Sequence, residues 1–71
     1  MTEWIVDRYP SNNEPVLITL LDPETEEVWV DMGVWHNHEW YYESREFAIT
    51  SYYVVAWKKL PEPYTGVERI H

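Results

Sequence analysis

The sequence predicts a mainly β fold: a small antiparallel sheet of about four strands built from two hairpins, with room for one short helix. Three observations predict it. Val16-Leu17-Ile18-Thr19-Leu20-Leu21 is a compact run rich in strand-forming side chains. Residues 28–42, VWVDMGVWHNHEWYY, form two apolar runs divided by polar His36-Asn37-His38-Glu39. Asp22-Pro23-Glu24-Thr25 stands between the first two runs with Asp and Pro where a type I turn takes them.

The elements follow in order. Trp4-Ile5-Val6 is a short apolar segment, and Pro10 biases Tyr9 toward extended geometry. Ser11-Asn12-Asn13-Glu14 reads as a loop. Pro15 then opens the first strand, a position where proline is tolerated. A turn over 22–25 joins this strand to a second over 28–35. Alternation puts Val28, Val30, Met32 and Val34 on one face, and Trp29, Asp31, Gly33 and Trp35 on the other. A four-residue loop over 36–39 closes the second hairpin and makes Trp35 and Trp40 cross-strand neighbours. Residues 44–51, SREFAITS, are the place for a helical turn capped by Ser44, although their β-branched content opposes it. The last strand covers 52–57. Extended Leu60-Pro61-Glu62-Pro63 and a loosely ordered tail over 64–71 follow.

Composition narrows the class. Seventy-one residues make one domain, 1–71, with a marginal core. There is no cysteine, so neither disulfide nor thiolate metal site is available. Five Trp, six Tyr and one Phe argue for a folded chain over an acidic disordered tail. Two apolar sheet faces need two covers, and the chain has little left to supply the second. The face of Val28, Val30, Met32 and Val34 is therefore expected to lie partly exposed and to serve a dimer or a partner. No apolar run reaches a membrane span, and Met1-Thr2-Glu3-Trp4 lacks the basic region of a signal peptide. The chain reads as soluble and intracellular.

The net charge is -8, and no Lys or Arg stands between Tyr9 and Ser44. A surface of that sign does not neutralise phosphates, which excludes direct nucleic-acid binding.

Three pieces of the chain resemble a bacterial and phage family called domain of unknown function 551. They are Trp4-Ile5 with Arg8-x-Pro10 and Pro15-Val16-Leu17; Trp35 and Trp40 about a polar turn; and Val54-x-x-Trp57-x-x-Leu60-Pro61-Glu62-Pro63. Ala56 stands where that family commonly has His, and Lys59 where it commonly has Pro. The resemblance implies a small β domain, often phage-borne, without an established activity, in the cytoplasm of a bacterial host.

The sites are weighed on chemistry. His36, His38 and Glu39 have the spacing of two imidazoles and a carboxylate on one loop, the alternative reading as a metal or catalytic site. No further ligand is marked elsewhere and no nucleophile pattern is present, so no metal, cofactor or enzyme activity is assigned. Trp4, Trp35, Trp40 and Trp57 are assigned to the core. Trp29, Tyr41 and Tyr53 are assigned to a protein-binding face, because Trp and Tyr dominate interface hot spots. Asp22, Glu24, Glu26, Glu27 and Asp31 form an acidic row that imitates the phosphates of a nucleic acid before a basic groove. The expectation is a protein-binding module that inhibits a nucleic-acid-binding host defence factor, of anti-CRISPR or anti-restriction type. Self-association as a homodimer is the structural alternative.

Overall fold

The computed structural model describes residues 3–63 and Gly66; most of the expected tail over 64–71 lies outside them. Four strands form one antiparallel sheet: β1 Val16–Leu21, β2 Val28–His36, β3 Glu39–Tyr42 and β4 Tyr53–Lys59. Their order across the sheet is β3-β2-β1-β4. The first three strands are a meander, and the last returns to pair with the first.

The first hairpin closes through a loop wider than one turn. Asp22 N–H donates to the Glu27 carbonyl at 2.9 Å, and Glu26 N–H to the Asp22 carbonyl at 2.8 Å. The Asp22 carboxylate accepts from Glu24 N–H at 2.9 Å, which is why Asp is useful ahead of Pro23. Glu26 completes the reversal with φ of 62°.

The second hairpin is tighter than the expected four-residue loop. His36 and Glu39 pair as strand residues, leaving Asn37 and His38 as a two-residue turn with φ of 50° and 65°. Two consecutive left-handed residues match the right-handed twist of the flanking strands, and Asn enters that conformation readily.

Residues 44–51 are not the expected helix, and no helix occurs among the described residues. Arg45 has φ of 65°, which a right-handed helix does not admit. Ser44 Oγ accepts from Glu46 N–H at 3.4 Å in a local turn. The chain then runs back along β3, with Tyr42 N–H donating to the Phe47 carbonyl and Ile49 N–H to the Trp40 carbonyl. β4 is also displaced from the expected 52–57, because Lys58 and Lys59 are strand residues opposite Leu17 and Val16.

The register assigns every side chain to a face. On the core face Val16, Ile18 and Leu20 are fully buried, together with Trp57. Half-buried Ile5, Trp29, Trp40, Tyr42, Ile49 and Tyr52 pack against them. Gly33 lies opposite Val16; a Cβ there would stand 2.8 Å from Ile18 Cδ1 and 3.0 Å from the Tyr41 carbonyl oxygen.

Two straps cover this face. Ile5 and Trp57 exchange backbone hydrogen bonds at 2.7 and 3.0 Å, tying the N-terminal strap to the outer edge of β4. The 47–49 segment covers the outer edge of β3. Trp4 was expected in the core, yet it is 37% exposed and its ring carries Lys58 Nζ at 4.7 Å. It precedes the bridge at Ile5 and is left at the rim.

Candidate interaction surface

The far face of the sheet consists of rows fixed by pairing. Val28, Leu21 and Tyr53 form one; Val30, Thr19 and Ala56 the next; Met32, Leu17 and Lys58 the third. Val28 is 63% exposed, Val30 54% and Tyr53 62%. Between Thr19 and Leu20 the partner in β4 jumps from Ala56 to Val54, so Val55 is the extra residue of a bulge. Val55 is exposed as well. The end of the far face beside the first hairpin is therefore open and apolar.

The other end is closed. Val34 was expected on the exposed face, yet it is completely buried. The Arg45 side chain lies at this end. It starts beyond β3 and donates to the Asn13 carbonyl at 3.1 Å, crossing β2 on the side that carries His36 and Tyr41. Asn13 is itself fastened by its N–H to the Trp35 carbonyl at 2.8 Å.

The acidic residues divide. Glu24, Glu26 and Glu27 are exposed at the hairpin tip beside the Val28 row. Half-buried Asp22 organises the turn. Asp31 is exposed but pairs with Ile18, so it belongs to the core face, where its carboxylate accepts from Met32 N–H at 2.7 Å. A single row of five carboxylates is not what the pairing produces; strand alternation separates Asp31 from the other four.

The aromatic residues also part company. Trp29 meets Tyr52 edge-on at 4.8 Å and packs on the core. Tyr41 is half-buried on the far face and donates to Glu39 Oε2 at 3.2 Å. That hydrogen bond and the carboxylate's charge raise the phenol's pKa. Of the three aromatic residues assigned to binding, Tyr53 alone is fully open. Trp35 and Trp40 are half-buried cross-strand partners, with ring centroids 5.2 Å apart and planes at 64°. Tyr9 lies flat on Trp35 at 3.9 Å.

His36 and His38 are directed apart. His36 lines a cleft with Asn13, Tyr41 and Arg45, whereas His38 stands edge-on to Trp35 in a separate hollow beside Tyr9. Among the described residues no three His, Cys, Asp or Glu side chains converge to hold a metal ion. Nor is any helix there long and apolar enough to cross a membrane.

Arg45 and Asn13 are not among the residues assigned from the sequence. A signal was available, because Arg45 is the only Lys or Arg between Arg8 and Lys58. Compared with protein-family models, curated proteins and solved structures, the chain matches none.

Proposed function

We propose that this chain is a protein-binding module without catalysis, and that the open end of the far sheet face is its contact surface. The carrying observation is the row Val28, Leu21 and Tyr53, exposed at both its ends and half-buried at Leu21, next to a tip holding Glu24, Glu26 and Glu27. An apolar patch on one side of a carboxylate cluster suits a partner with an apolar surface edged by Lys or Arg. A nucleic-acid-binding protein is such a partner, with the tip carboxylates taking the place of phosphates. The acids steer the encounter and the apolar row holds the complex. Inhibition of a host defence nuclease is the specific form of this reading that the charge supports.

Affinity capture from bacterial extract, at low and at high salt, tests it with three baits. One is the parent chain. The second carries Glu24→Gln, Glu26→Gln and Glu27→Gln, and the third Val30→Lys. The proteins held by the parent should be lost from the third bait at both salt concentrations. They should be weakened in the second at low salt and much less at high salt. Identical capture by all three baits removes this face from the account. Sedimentation of the pure parent as a tight dimer, returned to monomer by Val30→Lys, assigns the face to a second copy instead.

A further inference from the structure

The cleft lined by Asn13, His36, Tyr41 and Arg45 has a volume of about 300 Å³ and lies at the closed end of the far face. Its lining is rich in hydrogen-bond donors. Arg45 has five N–H groups. Its hydrogen bonds run to backbone carbonyls, Asn13 at 3.1 Å and Glu43 at 3.4 Å. Among the described residues it has no carboxylate partner. The adjacent imidazole is short of a partner too: His36 Nδ1 is shielded from solvent with no hydrogen bond. A buried polar atom in that state calls for an explanation, and no hydrogen bond from Nδ1 fixes which ring edge is turned to the cleft. Glu39, the cross-strand partner of His36, already accepts the Tyr41 hydroxyl.

The backbone around the cleft is unusual as well. Asn13 and Arg45, which both line it, have φ of 61° and 65°. Left-handed non-glycine residues persist where the surroundings hold them, and they gather at binding sites. Here they hold a guanidinium and an amide beside one hollow.

We propose that this cleft binds a small carboxylate. The planar guanidinium fork matches a carboxylate through two parallel hydrogen bonds, and the His36 ring supplies a third donor by turning a nitrogen toward the bound oxygen. A monoanion is favoured over phosphate. The site has one cation, Glu39 and Glu43 stand close in sequence and space, and the chain carries a charge of -8. The site is separate from the open apolar row and is independent of the partner proposed for it.

Titrations followed by the proton resonances of the His36 ring test this, with acetate, inorganic phosphate and chloride added at matched ionic strength. Acetate should give a saturable shift confined to His36, Tyr41 and their neighbours, chloride a shallow linear drift, and phosphate a weaker response than acetate. Arg45→Gln should weaken acetate binding by about ten-fold or more, the loss expected for a charge-assisted pair. Should that variant unfold, Asn13→Asp serves, since Asp keeps the tolerance for left-handed φ and adds a negative charge at the mouth; it should weaken acetate as well. A linear acetate response equal to that of chloride, or saturation unchanged in the variants that fold, overturns the site. Tighter binding of phosphate than of acetate overturns the ligand class.

Discussion

The Trp57 indole N–H donates to the carbonyl oxygen of Arg8 at 2.6 Å. Trp57 is 6% exposed and sits in the core of β4, while Arg8 belongs to the N-terminal strap. One side chain thus fills the core with its rings and holds down the strap with its edge. Beyond Arg8, Tyr9 continues onto Trp35. Trp57→Phe keeps an aromatic ring and removes the donor. It should cost about 1–2 kcal/mol and reduce the near-ultraviolet circular dichroism of the Tyr9–Trp35 stack. A melting temperature and dichroic spectrum equal to the parent's would show that the strap holds without this bond.

Trp35 and Trp40 lie across the second hairpin from each other and share Tyr9 as a neighbour. Removing either ring by Trp35→Ala or Trp40→Ala should destabilise the chain by roughly 3 kcal/mol, enough to unfold much of a marginal domain. Urea titrations of both variants and of the double variant should show a coupling of about 0.5–1.5 kcal/mol between the rings. Strict additivity would mean that each ring is held by the sheet and not by the other.

Gly33 is required by space rather than by backbone conformation. Gly33→Ala places a methyl group against Ile18 Cδ1 at 2.8 Å and the Tyr41 carbonyl at 3.0 Å. The expected cost is about 1–3 kcal/mol. Ile18→Val deletes the first obstruction, so the double variant should lose less stability than the two single losses combined. The carbonyl remains, so the rescue should be incomplete. Chemical denaturation of the three variants checks the ordering.

Burial raises the pKa of the Tyr42 phenol above its ordinary 10.0, with the charges of Tyr52 and Asp31 adding to it. The folded chain therefore favours the neutral phenol. This contribution is complete below pH 10 and is lost as pH rises through the higher folded value. Urea midpoints between roughly pH 9 and 11 should fall for the parent and fall less for Tyr42→Phe. Equal slopes would relocate the alkaline sensitivity to other groups.

Local features were legible in the residues. Val16 to Leu21 declared a strand, and Asp22-Pro23 declared its end, because strand propensity and turn chemistry act over a few residues. The Trp35–Trp40 pairing was legible for the same reason. Arg45 was not. Its left-handed backbone and its reach to Asn13 depend on strands that meet only after the sheet forms, so Ser44 looked like a helix cap. The fate of the acids was half readable: alternation already sets Asp31 on the face opposite Val28, and the register of β1 on β2 adds that this is the core face. Face exposure was partly readable: alternation grouped Val28 with Val34, but it could not separate the exposed residue from the buried one.

The sheet order carries a consequence for biosynthesis. β1 gains its second neighbour from β4, with Val16 opposite Lys59. On the ribosome the β1–β2–β3 meander emerges first, and the outer edge of β1 has nothing to pair with until Lys59 has left the exit tunnel. At ordinary elongation rates that interval is on the order of seconds. During it Val16, Ile18 and Leu20 present an apolar strand with open amides, a template for another nascent copy on the same message. Delaying the exit of β4 from the ribosome should lower soluble yield without altering the stability of the finished protein.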